Sequence, residues 1–189
     1  MVILVVGGAG CIGCHVVNLF LDNGDKVIVV DNLSTGSKEA VDPRAVFCQM
    51  DIKEERRLED LFSAFNIDAV VHLAFCSDDH ESVVEPLKYY ENNVSGTIAL
   101  LKVMKRHRVQ FVVLSSSAIR KSLSPYGESM SMVETIVSKV DYAYGIKSMI
   151  LRQSGTIEDD IRVKDLAREY PLALKSLVEH RVSGVLTLE

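Results

Sequence analysis

The chain has 189 residues, of which 48% are hydrophobic and 25% charged, with only 11 Gly and 4 Pro. Those proportions belong to a globular protein and exclude disordered, collagen-like and low-complexity chains. The 21 basic and 26 acidic residues leave a net charge of −5, which argues against nucleic acid as the main partner.

The first apolar run, Val2–Val6, leads into Gly7-Gly8-Ala9-Gly10-Cys11-Ile12-Gly13. A helical pattern follows through Ile12, Val16, Val17, Phe20 and Leu21, and Asn23-Gly24 closes it as a C-cap pair. Further Val- and Ile-rich runs stand at Val27–Val30, Ala45–Cys48, Ala69–Leu73, Phe111–Leu114 and Ser148–Leu151. Runs of this length suit strands buried on both faces of a parallel sheet. Between them lie helical spacings at Leu58–Phe65, from Pro86 through Met104, and from Tyr126 to Val140. Val163–Val178 is also helical, with Pro171 predicting a break or kink, and Val185–Leu188 reads as a last strand. Strand–helix alternation predicts an α/β fold: a Rossmann-type doubly wound parallel sheet with helices on both faces. With no internal repeat and no flexible linker, 1–189 reads as a single domain. Its core is 1–155, and 156–189 forms a residual C-terminal helix and strand.

No apolar stretch approaches the roughly 20 residues of a membrane span, and the N-terminal run is too short for a signal peptide. The expectation is a cytoplasmic protein whose cysteines are reduced thiols. Cys11 and Cys14 form a C-x-x-C that reads either as a redox pair or as two small side chains packed into a glycine turn and helix start. The sequence favours packing. The five histidines share no ligand-like spacing, so no metal site is expected.

Strand, glycine turn and helix in this order are what a pyrophosphate needs. Glycines let the backbone approach it, and the helix start supplies amide donors and a positive dipole end. The next strand ends at Asp31, 18 residues beyond Gly13. A carboxylate there accepts hydrogen bonds from the adenosine ribose and repels a 2′-phosphate, which favours NAD over NADP.

More specific words then follow: Asp31-Asn32-Leu33-Ser34-Thr35-Gly36, Asp51-Ile52, His72-Leu73-Ala74, and Pro86 through Thr97. With Ser115-Ser116-Ser117-Ala118 and Tyr126-Gly127-Glu128-Ser129, they resemble the extended short-chain dehydrogenase/reductase family, most closely its UDP-galactose (UDP-glucose) 4-epimerases. The likeness is good from 1 to about 150 and loose thereafter. It implies a cofactor site of Gly7, Gly10, Cys11, Ile12, Gly13, Asp31, Asn32, Ser34, Thr35 and Gly36, with Asp51 and Ile52 at the adenine. Leu73 and Ala74 should run along the cofactor, with Asn93 near the active-site floor and Phe75 and Ser115 also at the cofactor. It also implies a homodimer through the Pro86–Met104 and Tyr126–Val140 helices, where Ile98, Val103, Met132, Ile136 and Val137 read as surplus apolar positions.

The resemblance assigns catalysis to Tyr126 as base and Ser117 as helper, with a lysine one helical turn beyond the tyrosine. That position holds Met130, which can neither carry the charge nor make the hydrogen bonds. A cation beside a phenol lowers its pKa from near 10, so proton removal is expected to be impaired. Arg120 and Lys121 are the candidate substitutes, or else a solvated loop. Phe75 and Ser77 replace an expected glycine and lysine. Gln153-Ser154-Gly155 replaces an expected aromatic–aromatic–Asn, and the substrate lobe is almost wholly absent. The reading is an NAD-binding protein of this family with weak or lost catalysis. The alternative is an active minimal UDP-sugar epimerase or related oxidoreductase, completed by a partner subunit.

Overall fold

A computed structural model of the chain describes residues 1–116, 124–153 and 160–188. Seven strands make one parallel sheet in the order β3-β2-β1-β4-β5-β6-β7. They are β1 Val2–Val6, β2 Lys26–Asp31, β3 Val46–Gln49, β4 Ala69–His72, β5 Phe111–Ser116, β6 Lys147–Gln153 and β7 Gly184–Leu188. The Val/Ile runs are long enough to be buried on both faces, and alternate residues divide between two cores. Leu4, Val6, Ile28 and Val30 face one layer, which contains α2 Glu55–Ala64, α5 Gly96–Arg106 and α6 Pro125–Tyr144. Ile3, Val5, Val27 and Val29 face the other, which contains α1 Cys11–Asp22 and α7 Asp160–His180. Two short helices, α3 Asp79–Val84 and α4 Pro86–Tyr89, complete the set.

The first helix ends as its sequence suggests: Asn23 is the C-cap and Gly24 adopts φ +85°. The helix expected from Pro86 to Met104 is interrupted. A π-helical turn, Tyr90–Ser95, separates α4 from α5, and such turns are frequent at functional sites. This one sets Asn92 and Asn93 toward the segment after β4, where Asn92 Nδ2 donates to the Ala74 carbonyl at 3.0 Å. The break expected at Pro171 does not occur, because α7 runs through it. Leu166, Ala167 and Tyr170 are buried before it and Ala173, Leu174 and Leu177 after it, so packing on both sides holds the element together. Helix α3 had no counterpart in the hydrophobic pattern. Its signal is Asp78, whose side chain caps the Glu81 amide at 2.9 Å.

Of the surplus apolar positions, Val103 and Val137 are core residues, Ile136 packs against the core from a half-buried place and Met132 is exposed. Cys11 departs from the packing expectation. As the first residue of α1 it is exposed, because the turn directs it outward rather than toward the sheet.

Candidate functional site

With every strand parallel, their C-terminal ends share one edge, and the chain direction across the sheet reverses between β1 and β4. That reversal opens a crevice, the usual ligand position in such sheets. Here it is a cleft of about 300 Å³ bounded by Val6 at the end of β1, by Gly7 and Gly10 after it, and by Leu73, Ala74 and Phe75 after β4. Asp31, Asn32, Ser34 and Thr35 line one end, beside Met50 and Ile52.

The glycine turn is held by backbone contact. Gly7 has φ +85° and donates its amide to the Val30 carbonyl at 2.7 Å. A Cβ on Gly7 would lie 2.7 Å from the Ala74 nitrogen, and one on Gly13 would lie 2.1 Å from the Gly7 oxygen. Gly10 is the N-cap of α1 and carries no side-chain cap, and the first turn holds no acidic residue. Uncapped amides at a helix start with a bare backbone approach suit an anion.

Asp31 closes β2 and is 9% exposed. Its Oδ2 accepts the Ala9 amide at 3.0 Å and its Oδ1 the Leu33 amide at 2.8 Å. It therefore fixes the glycine turn to the loop after β2, and each oxygen keeps a further acceptor site. Asn32 extends this frame, with its Nδ2 donating to Asp51 Oδ2 at 3.2 Å and its Oδ1 accepting the Ser34 amide at 2.9 Å. Ile52 is buried and lines the cleft. Asp51, bonded to Asn32 and to the Lys53 amide at 2.9 Å, stands behind the wall.

Asn93 is fully buried beneath the segment after β4. Its Oδ1 accepts the Cys76 amide at 2.8 Å, and its Nδ2 donates to the Cys76 carbonyl and to Ser129 Oγ, each at 3.0 Å. It ties that segment to α6 and does not itself border the cleft. Gly36, Gly13, Cys11, Ile12 and Ser115 also stand off its lining. Ser115, at the end of β5, accepts from Gln153 Nε2 at 2.9 Å.

Tyr126 opens α6, half-buried and edge-on to Tyr89 with ring centroids 6.2 Å apart. Met130, one turn on, is 1% exposed and packed into the protein. Ser117, Arg120, Lys121, Ser154 and Gly155 lie outside the described residues.

Sequence reasoning missed one wall of the cleft: Cys76, Asp78, Glu81, Lys88, Tyr89 and Asn92. Tyr89 donates its hydroxyl to Glu81 Oε2 at 2.9 Å and accepts the Asp78 amide at 3.1 Å. Burial and the neighbouring carboxylate push its phenol well above the usual range. Lys88 pairs with the same Glu81, which holds the ammonium above its ordinary value. The Asp78–Glu81 capping spacing was the available signal for this wall. Among the described residues no group of three or more His, Cys, Asp or Glu is placed to hold a metal ion.

Residues 3–156 match the model of the NAD dependent epimerase/dehydratase family. The chain is 42% identical over 167 residues to the UDP-glucose 4-epimerase of Lacticaseibacillus casei, covering 80% of this chain and 50% of that protein. It is 40% identical over 202 residues to that of Lactobacillus helveticus, covering 97% and 61%. Among solved structures, the UDP-glucose 4-epimerase from Brucella ovis in complex with NAD superposes with a TM-score of 0.91 at 29% identity, covering 99% of this chain and 77% of that one. The chain thus spans between 50% and 61% of the length of those two curated relatives.

Proposed function

The chain belongs to the NAD dependent epimerase/dehydratase family, and on that premise we propose that it binds NAD in the cleft between β1 and β4. One observation carries this reading. The Gly7–Gly13 backbone contact places an uncapped helix start beside the cleft that Asp31 closes at its far end. Gly7, Gly10 and the first amides of α1 would hold the pyrophosphate. Asp31, with an acceptor site left on each oxygen, would hold the adenosine ribose, and Ile52 would pack at the adenine. Leu73, Ala74 and Phe75 would run along the remainder. When bound, the dinucleotide supplies a hydride acceptor that can also return the hydride.

This chain's residues support that chemistry only in part. Tyr126 is the proposed base for a sugar hydroxyl proton, with Ser117 as its helper. The position to which the resemblance assigns the pKa-lowering lysine is the buried Met130, and a methionine supplies no charge from there. Residues 154–159 are all that join β6 to α7, which leaves little chain for enclosing a substrate between them. We infer an NAD-binding protein with weak or lost 4-epimerase activity toward a UDP-sugar. The retained Tyr126 on the first turn of α6 favours the second reading, a minimal active epimerase completed by a partner subunit. We further propose a single cytoplasmic domain that pairs with a second copy through the Pro86–Met104 and Tyr126–Val140 region, where Leu87 and Met132 are exposed. Among the described residues no helix is long and apolar enough to cross a membrane.

Calorimetric titration with NAD and NADP tests the cofactor, and NAD should bind more tightly. Absence of binding by either would overturn the reading. A coupled assay with UDP-galactose separates the silent protein from the minimal enzyme.

A further inference from the structure

Cys11 and Cys14 occupy the first turn of α1, where residues three apart share a face. Helix geometry puts their Cα atoms about 5 Å apart, within the roughly 4.4–6.8 Å that a disulfide spans. Cys11 is exposed. Cys14 Sγ turns back toward the same turn and donates to the Cys11 carbonyl oxygen at 3.4 Å. The pair also adjoins the cleft, because the Cys14 amide donates at 3.1 Å to the carbonyl of Gly10, which lines it. Cys14, Cys48 and Cys76 are all half-buried, so Cys11 is the exposed thiol that a small disulfide meets first. Cys48 on β3 and Cys76 after β4 stand apart from the pair, and burial pushes both of their thiols up.

We propose that Cys11 and Cys14 form a dithiol–disulfide site that reacts with small disulfides of the glutathione class, and that a dinucleotide in the adjoining cleft slows the reaction. The Cys11 thiolate attacks one sulfur of the small disulfide, whose S–S bond breaks and releases one thiolate. The Cys14 thiolate then attacks the Cys11 sulfur of the mixed disulfide and expels the second thiolate. Two cysteine thiols are oxidised, one small disulfide is reduced to two thiols, and the cysteine protons end on the released thiolates. The shielding clause rests on the NAD reading; the disulfide itself does not.

The test treats the full chain with oxidised glutathione, quenches with acid and alkylation, and maps tryptic peptides by mass. Peptide 1–26 carries Cys11 and Cys14 and neither of the others. It should lose two hydrogens, and Cys14→Ser should instead trap a glutathione adduct on Cys11. A persistent adduct on unsubstituted Cys11, or oxidation of Cys48 or Cys76 while peptide 1–26 stays reduced, would overturn the site. NAD at ten times its Kd should slow closure about tenfold if only the empty form reacts. An unchanged rate with NAD bound by calorimetry would overturn the shielding. Absence of calorimetric binding would overturn the NAD reading instead, with the peptide map still deciding the thiol pair.

Discussion

Gly13 packs backbone to backbone on Gly7, with room for a Cβ only 2.1 Å from the Gly7 oxygen. The start of α1 and the turn after β1 are therefore one rigid unit. Gly13→Ala must push them apart, and overpacking of this kind costs about 1–3 kcal/mol. Its urea midpoint should fall with an unchanged slope. Gly10→Ala is the contrast, since its Cβ would stand 3.4 Å from the Gly7 oxygen, an ordinary contact, while the methyl enters the cleft. It should keep the midpoint and weaken NAD binding. Equal midpoints for the two variants would contradict the packing argument.

Asp31 has two tasks that substitutions can separate. It accepts the Ala9 and Leu33 amides, and it is proposed to face the ribose. Asp31→Ala should lose both and weaken NAD by about 1–3 kcal/mol, the range for lost hydrogen bonds to a charged group. Asp31→Asn keeps one acceptor oxygen and removes the charge that would repel a 2′-phosphate. Its NAD-over-NADP preference should shrink. A preference that stays intact in Asp31→Asn would remove this carboxylate as the discriminator.

Much of this frame was legible in the residues. Val2–Val6 reads as a buried strand, the glycines after it permit the tight turn and close backbone approach that Gly7 and Gly13 make, and the alternation of runs and helical spacings gives the doubly wound sheet directly. Asp31 stands at the end of β2 as its spacing from Gly13 suggests. Less legible were features decided by tertiary contact. No local pattern distinguishes the π turn at Tyr90–Ser95 from an ordinary helix, because Asn93's bonds to Cys76 and Ser129 link segments distant in sequence. Pro171 reads as a breaker, yet burial on both sides outweighs its local cost. The exposure of Cys11 depends on how α1 is rotated over the sheet, which composition does not specify.

His72 ties stability to pH. Its Nε2 lies 3.0 Å from Thr97 Oγ1, and Thr97 already donates its only proton to the Asn93 carbonyl, so Nε2 carries the ring proton. Nδ1 is then a buried acceptor without a partner among the described residues. Burial pushes this histidine down to about 3 from its ordinary 6.5. Between those values the unfolded chain binds a proton that the folded chain refuses, so stability falls as pH drops through the window, by at most about 1.4 kcal/mol per unit. Urea midpoints measured from pH 6.5 down to 4 should show this slope. His72→Gln, although less stable at neutral pH, should show a shallower one. Identical slopes would assign the acid sensitivity to other groups.

Met130→Lys tests why turnover should be low, and the structure adds a cost that the absence of a lysine at this position does not by itself suggest. Met130 is 1% exposed, so a lysine there must bury an ammonium or displace its neighbours. The variant should therefore lose stability in urea, with α6 loosened at its first turns. In whatever fraction folds, the ammonium one turn from Tyr126 should lower the phenol's pKa, read by ultraviolet titration against Tyr126→Phe controls in both backgrounds. It should also tighten NAD. General-base help is typically worth about 10²–10⁴ in rate, but positioning of the sugar is a separate deficit that lysine does not repair. Restoration of UDP-galactose turnover should accordingly be partial. If the unsubstituted chain already interconverts a UDP-sugar at ordinary enzyme rates, Met130 is no lesion, and Lys121→Met becomes the variant that locates the working cation.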